Sequence, residues 1–136
     1  MPNALDLLTA DHRKVDGLFA EFESSGDESV AAEICNEITI HAEVEERIVY
    51  PELRTLDPEL EQEAEREHAG AKRLIEQIRA AKGDEIVELV DQLKRAIEHH
   101  VAEEESKAFP ELEQLGDARL NDLGQQIADA KSRAAA

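Results

Sequence analysis

The chain has 136 residues, with 15 Lys and Arg against 33 Asp and Glu, which gives a formal net charge of −18 at pH 7. This length predicts a single domain over residues 1–136, with a core of Leu, Ile, Val and Ala, because hydrophobic residues make up 41% and aromatic residues only 3%. The acidic surface repels phosphate backbones and anionic lipid headgroups, so we expect neither nucleic-acid nor membrane partners.

Apolar residues recur at spacings of three and four almost throughout the sequence, and Pro and Gly fall between the periodic blocks. This pattern predicts helices and not strands. In chain order, five helices are predicted: from about Asn3 to Glu23, from the Asp27 cap to near Pro51, from Asp57-Pro58 to Gly83, from Asp84 to near Pro110, and about 117–132.

The first four helices are long and joined by short connections, so their apolar stripes must pack against one another. The sequence therefore predicts an all-α, up-down-up-down antiparallel four-helix bundle over about residues 3–112. The shorter fifth helix is expected to form a lid or a flank.

Six polar residues occupy inward positions of these stripes: His12, His41, Glu45, His68, His100 and Glu104. Four residues separate His41 from Glu45, which places the two within about 40° of each other on the helix surface. His100 and Glu104 repeat that arrangement. Each buried, unpaired imidazole or carboxylate costs several kcal/mol, so these residues need a common partner. Imidazole and carboxylate groups from facing helices suit iron or manganese, and without thiolates a tetrahedral zinc site is less natural.

The sequence also contains an internal repeat. His12, His41 and Glu45 have counterparts at His68, His100 and Glu104, with offsets of about 56 and 59 residues. Two helical hairpins related by an approximate twofold axis predict one metal ion per half. His12 and His41 would bind one ion, His68 and His100 the other, and Glu45 and Glu104 would bridge the two.

The order His, His-x-x-x-Glu, His, His-x-x-x-Glu over about residues 4–112 resembles the hemerythrin-like (HHE cation-binding) domain, in particular its small single-domain bacterial members of actinobacterial type. The resemblance implies a non-haem di-iron centre with two Fe ions, an oxo or hydroxo bridge and two bridging carboxylates. Its small-molecule partners would be O2, H2O2 or NO.

One position departs from the oxygen-carrying members, which have His-x-x-x-His on the third helix where this chain has His68 and then Lys72. Five ligands per iron then leave both ions accessible, which suits peroxide or other redox chemistry better than oxygen carriage. Lys72 can extend into solvent or donate to a carboxylate, and we expect the first.

Tyr50 precedes Pro51, as a tyrosine does in small members of the family, and is a candidate phenolate ligand or redox-active neighbour of the metal. Ideal helix geometry places Tyr50 about 140° from Glu45. The favoured interpretation is therefore an aromatic residue at the bundle end, equivalent to Phe109, with its hydroxyl in solvent. His99 lies about 100° from His100 on the helix and is expected to be an exposed flanking residue.

The leading hypothesis is a cytoplasmic di-iron protein that reacts with oxygen or hydrogen peroxide, with catalase-like peroxide disproportionation or oxidant sensing as its activity. The cytoplasmic expectation comes from the start of the chain, which lacks the charged and apolar stretches of a signal peptide. The alternative is reversible binding of O2 or NO, sensing, or iron storage without turnover. A third reading is an acidic helical interaction module with a vestigial polar core.

Overall fold

In a computed structural model that describes residues 2–135, the chain is all-helical, and the described residues contain no strand. Met1 and Ala136, the two ends of the predicted domain, lie outside those residues. The helices are α1 (Ala4–Ser25), α2 (segments Glu28–Val44, Glu45–Val49 and Tyr50–Leu56), α3 (Pro58–Ala80), α4 (segments Asp84–Glu103, Glu104–Ala108 and Phe109–Glu113) and α5 (Asp117–Ala135). None of these helices is both long and apolar enough to cross a membrane.

Short polar side chains begin the first three helices. The Asn3 side chain accepts a hydrogen bond from the backbone N–H of Asp6, whose carboxylate accepts one in return. The carboxylates of Asp27 and Asp57 each accept one backbone N–H bond at the start of α2 and α3, and Pro58 follows Asp57 where a missing N–H costs nothing. These caps place the helix starts close to their predicted positions.

Helices α2 and α4 each contain one π-helical turn. The wider turn spans Glu45–Val49 in α2 and Glu104–Ala108 in α4, and each begins at a predicted bridging glutamate. The backbone N–H of Tyr50 donates to the carbonyl of Glu45, and that of Phe109 donates to Glu104. Such i→i+5 turns bring residue i+5 around to the side of residue i, and they occur frequently at functional sites.

The predicted helix ends near Pro51 and Pro110 are wrong. Helix α2 continues to Leu56 and α4 to Glu113. In both helices one residue separates the π-helical turn from the proline, which lies in the first turn of the next helical segment. Its missing N–H would have no helical partner there, so the proline does not break the helix.

The apolar core consists of two clusters, one on each side of a polar layer. Along α1, Leu8 belongs to one cluster and Val15 to the other, and the buried His12 lies between them. Helices α2, α3 and α4 repeat this order, which confirms the predicted helical bundle. The polar layer is therefore enclosed above and below by packed side chains.

Helix α5 flanks the bundle. Its buried face, Leu120, Leu123 and Ile127, completes one of the two clusters. A Cβ atom added to Gly124 would lie 3.0 Å from the backbone of Asn3 and Ala4, so the helix approaches the start of α1 very closely. Lys131 contacts Asp11 further along, and α5 therefore runs parallel to α1.

Candidate metal centre

The bundle brings the six predicted ligands together in the polar layer. All are buried except His41, whose side chain is 13% exposed. Two groups of ligand atoms each lie within 4.8 Å of one another. One group is His12, His41, Glu45 and Glu104, and the other is Glu45, His68, His100 and Glu104. The groups are those that the internal repeat predicts.

Both glutamates belong to both groups. Each lies close to one histidine of each pair. Glu45 Oε1 is 3.1 Å from His41 Nε2 and 3.2 Å from His68 Nε2. Glu104 Oε1 is 3.1 Å from His12 Nε2, and Glu104 Oε2 is 3.1 Å from His100 Nε2. Glu104 thus divides its two oxygens between the groups.

The residues present fit two metal ions. Within the described residues, His41 Nε2 and Glu45 Oε2 are the buried side-chain polar atoms that lack a hydrogen-bond partner, and both belong to this centre. Ligand atoms bound at about 2.1 Å and at right angles around one ion are separated by about 3 Å, which is close to the distances observed here. Nitrogen and carboxylate donors without sulfur suit iron or manganese.

When no cation is bound, the carboxylates of the centre raise the pKa values of His12, His41 and His100 and favour their protonated forms. Burial lowers the pKa of His41, but the charge of Glu45, 3.1 Å from His41 Nε2, and the hydrogen bond with Asp11 raise it to about 10. Burial also lowers the pKa of His100, and its carboxylate hydrogen bonds raise it to about 12. The pKa of Glu45 is well below its usual value because the nearby histidines outweigh its burial. Metal binding must displace these protons.

Four further carboxylates hold the outer nitrogens of the four histidines. The Nδ1 contacts are His12 to Glu105 at 2.7 Å, His41 to Asp11 at 2.8 Å, His68 to Glu46 at 2.8 Å and His100 to Glu67 at 2.7 Å. Such partners orient an imidazole and direct its other nitrogen at a metal. These four carboxylates were not among the predicted site residues, although each is adjacent in sequence to a predicted ligand and recurs in the internal repeat.

Lys72 and His99 lie outside the two groups. The Lys72 ammonium lies 2.9 Å from Glu46 Oε1, so the prediction that this side chain extends free into solvent is wrong, although it is 46% exposed. The His99 side chain is 64% exposed and pairs with Glu67 and Glu103. Neither side chain replaces the imidazole that this chain lacks on α3.

Tyr50 lies inside the centre, and the favoured prediction of a hydroxyl in solvent is wrong. The residue is 1% exposed. Its hydroxyl oxygen lies 2.9 Å from His68 Nε2, 3.2 Å from Glu104 Oε2, 3.4 Å from His100 Nε2 and 3.5 Å from Glu45 Oε1. The π-helical turn explains the difference, because it rotates Tyr50 towards the side of Glu45, which an ideal α-helix does not do.

The equivalent residue in the other half is Phe109. Its ring stacks on His12, with centroids 6.1 Å apart, and it offers no oxygen atom. The His68 and His100 group therefore has a phenol that the His12 and His41 group lacks. The two halves of the centre are chemically different despite the internal repeat.

A small cavity adjoins the centre. All four histidines line it, and the remaining wall is largely apolar, with Val15, Ile38, Ala71, Ile75 and Ile97 among its residues. Its volume is about 30 Å³, room for about two water molecules. Only a very small molecule can reach the imidazoles through it.

Comparison with known proteins gives a family match and one curated relative. The family described as Hemerythrin HHE cation binding domain matches residues 3–112 and again 62–133. The second match begins in the second half of the bundle, as expected from the internal repeat. A protein of Nostoc sp. (strain PCC 7120 / SAG 25.82 / UTEX 2576) named DNA nickase is 37% identical over 114 residues. The match covers 79% of this chain and 32% of that protein, so the chain spans about a third of its relative. No solved structure matches the chain significantly.

Proposed function

The chain belongs to the hemerythrin HHE cation-binding domain family, and from this membership we propose that it is a non-haem di-iron protein that reacts with hydrogen peroxide or oxygen. The observation that supports this proposal most directly is the pair of shared glutamates. Glu45 and Glu104 each approach one histidine of both ligand groups, in a layer enclosed by apolar side chains.

In this proposal His12 and His41 hold one ion, His68 and His100 hold the other, and Glu45 and Glu104 are shared. When bound, the two irons supply Lewis acidity and a redox couple for exchange of electrons with a peroxide or oxygen molecule. The chain fixes the ligand positions and excludes bulk water.

Peroxide disproportionation fits the residues around the ligands. The reaction converts two H2O2 molecules into O2 and two water molecules, so it needs no external reductant. It needs open positions on the ions, and Lys72, held by Glu46, supplies no ligand at the place of the missing imidazole. The Tyr50 hydroxyl lies 3.2 Å from Glu104 Oε2 and can donate a hydrogen bond to that carboxylate.

The cavity restricts the class of substrate. A volume of about 30 Å³ admits molecules of the size of H2O2, O2 or NO and excludes organic substrates. We do not propose nicking of DNA, because the chain spans about a third of the relative with that name and its net charge is −18.

The second candidate is reversible binding of O2 or NO, sensing, or iron storage without turnover. The observation that favours it is the largely apolar wall of the cavity, which suits an uncharged diatomic ligand. Oxygen evolution from added H2O2 separates the candidates. The proposed activity predicts multiple turnovers per chain, and the binding function predicts a stable oxygen adduct after reduction.

Metal content tests the centre itself. Protein from iron-replete cells is expected to contain about two irons per chain, as in di-iron carboxylate bundles. Glu45→Ala is expected to lose most of this iron because it removes a carboxylate shared by both ions, and Glu104→Ala likewise. The exposed neighbour gives a matched control, since His99→Ala is expected to retain the iron. Full iron loading of either glutamate variant contradicts the bridging role, and a folded wild-type protein that takes up no ferrous iron contradicts the proposal.

A further inference from the structure

Helix α5 lies outside the four-helix bundle, but one of its side chains connects to a predicted metal ligand. The Lys131 ammonium donates a hydrogen bond to Asp11 Oδ1. The other oxygen of the same carboxylate, Oδ2, lies 2.8 Å from His41 Nδ1. Lys131, Asp11 and His41 therefore form a continuous chain of contacts from the flanking helix to the centre.

The position of Lys131 is fixed by the packing of α5. Gly124 meets the backbone at the start of α1, and Arg119, at the other end of the helix, forms an ion pair with Glu52 of α2. The Lys131 side chain is 31% exposed and that of Asp11 is 11% exposed. The ion pair between Lys131 and Asp11 is therefore partly shielded from water, which strengthens it relative to an ion pair on the surface.

The carboxylate of Asp11 needs this cation. Burial raises the pKa of Asp11, and the hydrogen bonds with His41 and Lys131 outweigh burial and lower it. With Oδ1 held by Lys131, the carboxylate can present Oδ2 to His41 in one orientation. A fixed partner on Nδ1 fixes the imidazole ring and the direction of Nε2.

Among the residues that the structure describes, the other half of the bundle has no such connection to α5. Glu67 is the repeat counterpart of Asp11 and holds His100, and its own partner is His99, the neighbour of His100 on α4. An effect transmitted from α5 through Asp11 should therefore reach one of the two ions more strongly than the other.

We propose that Lys131 is a positioning residue through which α5 fixes His41, so that the flanking helix controls how tightly the ion at His12 and His41 is held. This inference rests on the proposed di-iron function. In this role α5 contributes to the centre, and the tightness with which the two ions are held depends on the C-terminal helix to different extents.

The test is the rate at which iron leaves the loaded protein when a ferrous chelator is added under anaerobic conditions. In Lys131→Met, one iron per chain is expected to leave about three- to tenfold faster and the other at the wild-type rate. This is less than the roughly 10–100-fold effect of removing a direct partner of a ligand. Lys131→Arg retains a cation of similar reach and is expected to behave as wild type.

Two controls separate positioning from simple loosening of α5. Arg119→Gln removes the ion pair with Glu52 and leaves Asp11 untouched, so both irons are expected to leave at the wild-type rate. In an Asp11→Asn background, Lys131→Met is expected to have no further effect, because the carboxylate that transmits it is absent. Unchanged iron release in Lys131→Met, equal acceleration of both irons, or an equal effect of Arg119→Gln overturns the inference.

A metal-free measurement distinguishes failure of this inference from failure of the proposed function. The 15N resonances of the His41 ring, recorded on the metal-free chain, are expected to shift in Lys131→Met and not in Arg119→Gln. If the wild type binds no iron, the di-iron function fails, and these resonances still decide whether Lys131 positions His41. An unshifted His41 ring in Lys131→Met overturns the positioning role.

Discussion

Replacing Tyr50 with phenylalanine removes one oxygen atom from the centre and leaves the ring in the core. The lost hydroxyl lies 2.9 Å from His68 Nε2 and 3.2 Å from Glu104 Oε2, and Tyr50 is 1% exposed. A buried polar group left without its partner costs about 1–3 kcal/mol. We expect the metal-free Tyr50→Phe protein to be less stable by that amount.

The expected shift in melting temperature follows from the length of the chain. Unfolding entropy of about 2.1 cal/mol/K per residue gives roughly 0.3 kcal/mol per kelvin for 136 residues. A loss of about 1–3 kcal/mol therefore lowers the melting temperature by about 3–10 °C. Calorimetry of the two metal-free proteins measures this shift directly. Equal melting temperatures would refute the reasoning, because they would mean that the hydroxyl contributes nothing to the polar layer.

The iron-loaded proteins reveal what the hydroxyl does when metal is bound. If Tyr50 is a ligand of the ion at His68 and His100, the ferric wild-type protein has a visible phenolate-to-iron absorption band. Tyr50→Phe should lack this band and still contain about two irons per chain. A band that persists in the variant excludes Tyr50 as its source.

Two further predictions concern packing and pH. Gly124→Ala is expected to lower the melting temperature through a cost of about 1–3 kcal/mol, because its Cβ would lie 3.0 Å from the backbone of Asn3 and Ala4; an unchanged melting temperature would show that α5 is free to shift. The stability of the metal-free protein is expected to fall as pH rises from about 6.5 towards 10. The pKa of His41 is raised to about 10 in the folded chain, so the stability that protonated His41 contributes is fully present only below its pKa in the unfolded chain, about 6.5. Iron affinity is expected to rise over the same pH range because iron binding displaces protons from the histidines. Denaturant titrations with and without iron at several pH values measure both quantities. If the metal-free stability and the iron affinity changed with pH in the same direction, the role of these protons would be contradicted.

The helices could be predicted because their signals are local. Apolar spacing marks the buried face of each helix, and Asp27, Asp57 and Pro58 mark where helices begin. The polar interruptions of those stripes are also visible in sequence, and the internal repeat indicates which of them belong together. The structure brings His12, His41, His68 and His100 into one layer with the two glutamates. Their roles as iron ligands stay a prediction.

The π-helical turns could not be read from the sequence. Pro51 and Pro110 look like helix ends, because the usual rule for an internal proline assumes α-helical geometry. With a wider turn before it, the proline lies at the start of a new segment and the helix continues. The same turn moves Tyr50 from the expected solvent position into the centre, so one unrecognised change of backbone geometry explains both errors.

The sequence by itself determined the helical bundle, its polar layer and the repeat that pairs the ligands, because each follows from spacing along one chain. Only the tertiary structure decided which neighbours complete the centre. These neighbours lie far away in sequence, as in the contact of His12 with Glu105 and the contact of Lys131 with Asp11, the partner of His41. A charged residue on a helix surface has the same local pattern whether it faces water or a buried imidazole. Its role is therefore settled by which helix packs against it, and spacing along one helix carries no record of that choice.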